Sequence, residues 1–385
     1  MKITALRPII VNAKMRNWIF VKVETDEGVV GWGEASLEWK TRAVAGAIAD
    51  FEPFIVGVDP RRIEHLVQIM SRQPYFRGGI VASSAMSGIE QACWDILGKS
   101  LGMPVYQLIG GAVRDRVRMY DHLGGGEMKA LYLDDAPQVM AERALESVAA
   151  GYTAVKVLAV PRTLPVDGPG PIKRAAAIMA AIREAVGDAV DIMVDFHGRT
   201  TPAMGIAYAD ALTPHRPLFI EEPALPENID ALAQVARATT IPVATGERLV
   251  GRFQFREVLE KQACAVIQPD LCHCGGLWEA RKIAAMAEAY YVSVAPHNPL
   301  GPIATAACIH FALATPNFLI QEAIRSDVSW RDDVVTPLRI KDGHALQPDG
   351  AGWGITVNET EAARHPFAQE ELLRYWHTDG SVADW

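Results

Sequence analysis

VDIMVD (190–195), PLFIE (217–221), IPVATGE (241–247), AVIQPD (265–270), VSVAPH (292–297) and NFLIQE (317–322) are six apolar runs, each ending in an acid or a histidine. Their last residues, Asp195, Glu221, Glu247, Asp270, His297 and Glu322, stand 26, 26, 23, 27 and 25 positions apart. Each interval has room for one strand, one helix and two short loops. Charged groups at successive strand C-termini, in a chain of β-α units, are the signature of a (β/α)8 barrel with its active site at that mouth. Chance places an acid after one strand, not after six. The reading is an α/β enzyme.

Upstream, VRMYDH (117–122) and AVKVLAV (154–160) read as barrel strands one and two, and helical patterns follow most strands as far as Ala314. A Pro/Gly-rich loop, Pro161 to Pro171, is expected over the mouth. Before the barrel the pattern differs. Ile3–Val11, Trp18–Thr25 and Val29–Glu34 alternate as a meander with a turn at Asp26-Glu27-Gly28. Residues 41–110 are helical in period, with breaks expected at Pro53, Pro60, Pro74 and Pro104; Ser83–Leu101 reads as an amphipathic helix. Strands followed by helices, without β-α alternation, describe a separate α+β domain. The expected organisation is a capping domain (1–116), a modified (β/α)8 TIM barrel (117–355) and a C-terminal segment (356–385). The chain's end, Leu372 to Trp385, is too short to stand alone and is expected to pack back on the cap.

Half of the 385 residues are hydrophobic and 22% are charged, enough for a large core. A net charge of -9 argues against nucleic acid or an anionic membrane as partner. Five cysteines without framework spacing imply a reducing compartment, and no apolar run is long enough to span a membrane, so a cytoplasmic location is expected. Cys272-His273-Cys274 looks like a zinc fragment but lacks a second ligand pair at finger spacing.

Asp195, Glu221 and Glu247 end three consecutive strands, so their carboxylates converge and repel unless a cation sits among them. Oxygen-only ligands favour Mg²⁺ over zinc or copper. Glu222 adjoins Glu221, and strand parity alone does not say which points inward. His197, two residues beyond Asp195, projects to the same face and is a candidate general acid/base. Asp270 and His297 end neighbouring strands; an Asp that accepts from one imidazole nitrogen makes the other more basic. Glu322 becomes a hydrogen-bond donor if burial raises its pKa. Together these groups suit removal of a proton beside a carboxylate, with the charge stabilised by a cation.

These motifs resemble the enolase superfamily, and within it the D-galactonate dehydratase group. The carriers are Asp195-Phe196-His197-Gly198-Arg199, Ile220-Glu221-Glu222-Pro223, Gly246-Glu247-Arg248, Gln268-Pro269-Asp270, Ala295-Pro296-His297 and Gln321-Glu322. The likeness extends to Gly31-Trp32-Gly33-Glu34, Arg77-Gly78-Gly79 and the final Ser381-Val382-Ala383-Asp384-Trp385. The resemblance implies Asp195, Glu221 and Glu247 as Mg²⁺ ligands. It also implies His297 with Asp270 as the base at C2, His197 as the acid at C3 and Glu322 as a partner of the enediolate. It further implies a sugar-acid substrate and a symmetric homo-oligomer. Arg199, Arg248, Arg77 and His122 are candidate substrate contacts, and loops around Trp18, Arg77 and 161–171 are expected to read hydroxyls. Two departures matter: galactonate dehydratases tend to carry an asparagine at the Leu158 position and to end strand one differently from Tyr120-Asp121-His122, positions that face the mouth, and the racemase lysine is missing. Members with a second-strand base carry Lys-X-Lys, but here Lys156-Val157 is followed by Leu158, so a two-base racemase lacks its usual partner. The expected activity is dehydration of an aldonate; the rivals are an acid-sugar epimerase or cycloisomerase, and a barrel kept only for binding.

Overall fold

The computed structural model describes residues 1–124, 136–325, 327–371 and 374–385; Leu372 lies outside them. Strands β1 (Ile3–Ala13), β2 (Arg16–Thr25) and β3 (Val30–Glu34) form an antiparallel sheet in that order. Helices α1 (Thr41–Ile55), α2 (Ile63–Arg72), α3 (Gly79–Leu101) and α4 (Val105–Leu108) follow. Pro53 does not break α1, contrary to expectation. It lies inside the helix, two residues before its last residue, Ile55. Trp18 is wholly buried in β2, which makes it a core residue and not a reader of substrate.

α3 also departs from its sequence pattern. Its polar side, including Ser84, Ser87, Glu90, Gln91 and Asp95, is as buried as its apolar one. Ser84, Ser87, Glu90 and Gln91 reach barrel residues between Leu271 and Trp278, while Asp95 and Gln91 also accept from Trp32 N and Glu34 N of the cap sheet.

The barrel strands are β4 (Arg116–His122), β5 (Ala154–Val157), β6 (Asp191–Asp195), β7 (Ile220–Glu221), β8 (Val243–Thr245), β9 (Val266–Ile267), β10 (Ser293–Val294) and β11 (Gln321–Ala323). Neighbours from β4 to β10 pair in parallel, β11 pairs with β4, and a bridge between Val294 and Phe318 closes the ring. Between them run α5 (Pro137–Ala149), α6 (Pro169–Val186), α7 (Pro202–Leu212), α8 (Ile229–Ala238), α9 (Gly251–Glu260), α10 (Leu277–Ala289) and α11 (Pro302–Ala314). Among the described residues β11 is followed by the short helix α12 (Arg331–Val334) and by an antiparallel pair, Ile340–Lys341 with His344–Leu346, the second of which adds to β4.

Buried acids of the cap hold it to the barrel. Glu34 accepts from Gly301 N and Ala304 N, both at 2.8 Å, at the start of α11. Glu90 accepts from Leu277 N and Trp278 N, both at 2.9 Å, at the start of α10. Carboxylates at helix N-termini satisfy donors that have no partner within the helix and meet the positive end of its dipole. Burial pushes Glu90 up to about 7 although those N–H groups pull it down. The barrel answers each acid with a glycine: a Cβ on Gly301 would collide with the Glu34 carboxylate, and one on Gly276 with Glu90. Glu34→Ala leaves two buried N–H groups without acceptors. It is expected to cost about 3 kcal/mol in urea unfolding, and an unchanged midpoint would contradict this account of the seam.

The C-terminal segment lies along the cap. Asn12 N donates to His365 O at 2.8 Å, and Asn17 Nδ2 donates to Ala368 O at 2.8 Å. It then crosses to the barrel mouth, where Trp385 meets Trp39 edge-on at 4.5 Å.

Candidate active site

The parallel register sets Asp195 beside Glu221 on β6 and β7, and Glu247 follows the end of β8. One oxygen-bearing atom from each of the three lies within 4.8 Å of the others. Glu222 is in the left-handed region (φ 41°), so the chain turns at once and its carboxylate goes to Arg248 Nε at 2.9 Å. Glu221 and Glu222 therefore face opposite ways.

Lys156 of β5 is the cation this cluster already contains. Wholly buried, its Nζ lies 2.7 Å from Glu322, 3.0 Å from Glu221 and 3.3 Å from Asp195. Burial works to neutralise the lysine, but Glu221 and Glu322 hold it charged, well above its usual range. Burial, reinforced by Asp195, drives Glu221 far above the usual carboxylate range. Asp195 stays ionised against the same burial because His197 and Lys156 face it. Glu322 does not behave as a raised, proton-donating acid. Burial alone would lift it, yet Lys156 holds it at about 2. Its second oxygen accepts from Asn298 N at 2.8 Å, which fixes the chain just after His297.

A cavity of about 370 Å³ opens above this cluster. Asp195, His197, Glu247, Arg248, His297, Glu322, Lys156 and His122 line it from the barrel. Met15, Arg16, Glu38 and Trp39 line it from the cap, and Asp384 and Trp385 from the C-terminus. His297 Nδ1 is 2.8 Å from Asp270 Oδ2, and its Nε2 is 3.1 Å from Glu247. Burial lowers His297, but Glu247, Glu322 and Asp270 outweigh it and lift the imidazole to about 10. His197 differs. Its Nε2 is 3.5 Å from Asp195, its ring stacks on Trp385 at 5.6 Å, and burial pushes it down to about 4. Burial, with Lys156 nearby, brings His122 down to about 4 as well.

Strand alternation does not explain why His197 faces the cavity. β6 ends at Asp195, and His197 (φ 53°) and Gly198 (φ 66°) are both left-handed, which reverses the chain. The reversal sends Arg199 behind the wall: Nη1 donates to Val160 O at 2.9 Å and the guanidinium lies over Tyr375. Arg77 lines a separate cavity between α1, α2 and α9, with Met70 and Phe253. Neither arginine lines the cavity of the cluster. Arg248 does line it, but it braces the site through Glu222 and through His197 O, which accepts from Nη2 at 2.9 Å. The loop from Pro161 lines the neighbouring cavity through Thr163 and Pro165 and does not reach this one. Leu158, in the place of the second lysine, packs with Met15, Trp39 and Trp385 as an apolar wall. Sequence pattern gave no sign of these cap and C-terminal residues, because they meet the mouth only through folding.

Fold and site together define a barrel enzyme with a capping domain and a carboxylate cluster at the strand C-termini. Residues 139–361 match the enolase C-terminal domain-like family, and residues 4–110 match the mandelate racemase/muconate lactonizing enzyme N-terminal domain. The chain belongs to the enolase superfamily, in its mandelate racemase/muconate lactonizing enzyme branch. It is 41% identical over 396 residues to a D-galactonate dehydratase of Verminephrobacter eiseniae, covering 100% of both chains. It is 42% identical over 377 residues to one of Ralstonia nicotianae, covering 96% of each. A mandelate racemase/muconate lactonizing enzyme from Sulfitobacter sp. superposes with a TM-score of 0.90 at 39% identity, with 96% of each chain covered.

Proposed function

We propose that this protein is a Mg²⁺-dependent hydro-lyase that dehydrates an aldonate, D-galactonate or one sharing its C2 and C3 configuration, to the 2-keto-3-deoxy acid. The observation that carries this reading is the pair of imidazoles, His197 and His297, facing one cavity above a carboxylate cluster. Full-length likeness to D-galactonate dehydratases supports the substrate class.

The donor set fits Mg²⁺: three carboxylates, oxygen only, with Glu221 Oε1 buried and making no hydrogen bond, and with Glu221 held far up in its range. Asp195, Glu221 and Glu247 would hold the ion, which would attract the substrate carboxylate and the negative charge that develops on it. Lys156 Nζ supplies a second positive charge to those oxygens, and Glu322 orients it. His297 uses Nδ1 on Asp270 and removes the C2 proton with Nε2. His197 delivers a proton to the C3 hydroxyl, which departs as water. The resulting enol tautomerises to the ketone. With Leu158 in place of a lysine, no amine stands at that position of the second strand to return a proton to C2.

We also expect a cytoplasmic, symmetric homo-oligomer. All five cysteines are free thiols, and among the described residues no helix is long and apolar enough to cross a membrane. The deciding experiment is a panel of aldonates differing at one carbon each, assayed for a semicarbazide-reactive product. Activity is expected to depend on C2 and C3 and to vanish on 2-hydroxy acids lacking a C3 hydroxyl. Epimerised acid without a 2-keto product would instead identify an isomerase. Indifference to inversion at C2 and C3 would overturn the placement of the two histidines.

A further inference from the structure

Behind Asp270 stands a second imidazole. His273 is buried in the loop that begins at Asp270 and does not line the catalytic cavity. Its Nε2 lies 3.5 Å from Asp270 Oδ2, the oxygen that also meets His297 Nδ1 at 2.8 Å. The other carboxylate oxygen accepts from Cys272 N at 2.6 Å. On its far side His273 Nδ1 is 2.9 Å from Ser84 Oγ on α3 of the cap. Ser84 Oγ donates its one hydrogen to Ile80 O at 2.7 Å, so it meets His273 as an acceptor. Nδ1 of His273 therefore carries a hydrogen. Its Nε2 faces Asp270 Oδ2, so ring and carboxylate are held within contact of each other. Ser83 Oγ adds a hydrogen bond to His273 O at 2.6 Å, so α3 holds both backbone and ring.

We propose that His273 is a positioning residue for the catalytic base: through Ser84, His273 and Asp270, the cap fixes the plane of His297 so that its Nε2 faces the substrate. This rests on reading Asp270 and His297 as the base. The carboxylate of Asp270 is shared between two rings, one facing the cavity and one anchored in the other domain. Rotation of Asp270 breaks both contacts at once.

Two substitutions separate positioning from simple anchoring. In His273→Asn the amide reaches about as far as Nδ1, keeping a group for Ser84 and losing the one that faces Asp270. In His273→Gln the amide reaches the Nε2 position, keeping a donor for Asp270. His273→Asn is expected to lower kcat and C2 hydrogen exchange together by roughly ten- to a hundredfold, the rate equivalent of losing one polar contact that orients a charged group. KM and Mg²⁺ affinity stay unchanged, and His273→Gln recovers most of the loss. An anchoring role alone gives the reverse order, with the Gln variant as poor as the Asn variant or poorer, and would overturn the proposal. A readout without substrate is the downfield imidazole N–H resonance of His297, identified by its disappearance in His297→Asn. It should shift in His273→Asn and return in His273→Gln, and no shift in the folded Asn variant also counts against the proposal. If the wild-type protein dehydrates no aldonate, the functional reading fails while this spectral test still decides the role of His273.

Discussion

Glu221→Gln protein is expected to lose dehydration by at least about a thousandfold and yet to melt at a higher temperature than wild type when both are free of metal. Glu221 is wholly buried, and burial beside Asp195 raises its folded-state pKa well above the ordinary carboxylate value of about 4.5. A raised carboxylate adds stability that is present below about 4.5 and is lost as pH rises through its folded value. At neutral pH burying this carboxyl beside Asp195 therefore opposes folding, and glutamine, which has no proton to lose, removes the opposition. A gain of roughly 1 kcal/mol corresponds to about 1 °C in a chain of this size. Wild type should gain thermal stability when Mg²⁺ is added, and the variant should gain none. The measurement is a pair of thermal scans with chelator and with Mg²⁺. Equal Mg²⁺ stabilisation of both proteins, or full turnover of wild type in excess chelator, would remove Glu221 from the metal site.

The two histidines are expected to fail differently. His297→Asn should reduce turnover by at least about a thousandfold and abolish exchange of the C2 hydrogen with heavy water, because the base itself is gone. His197→Asn should lose dehydration to a similar extent while still exchanging at C2, since only protonation of the leaving hydroxyl is impaired. His297 has Asp270 behind it and three carboxylates raising its affinity for a proton, whereas burial drives His197 the other way. Deuterium incorporation followed by proton NMR separates the two steps. The opposite pattern would interchange the roles, and equal exchange in both variants would discard the assignment.

Sequence reading reached the strand-end groups because a barrel repeats one geometry: an acid at the same place in successive β-α units must arrive at the same mouth. Asp195 beside Glu221, and His297 against Asp270, follow from strand order alone. It failed where the chain leaves the strand. Arg199 lies two residues past His197, but two left-handed residues reverse the backbone there and carry the guanidinium to Tyr375. Arg77 precedes α3 and opens onto a different cavity. Lys156 was visible as the first half of an incomplete motif, yet its place amid Asp195, Glu221 and Glu322 depends on three strands that sequence spacing does not relate to it. Met15, Glu38 and Trp385 reach the mouth from opposite ends of the chain. No periodicity records such meetings.

The glycine-and-acid seam decides how a substrate enters. On the side of α10 and α11 the cap is seated by Glu34 and Glu90, and swinging it away would strip four backbone donors of their acceptors. At the edge of the cavity Arg16 of the cap bonds to Pro299 O of the barrel, and Trp39 touches Trp385 of the C-terminal segment at its edge. An opening at the tail of the chain would part only side-chain tips there, while the four backbone donors of α10 and α11 keep their acceptors.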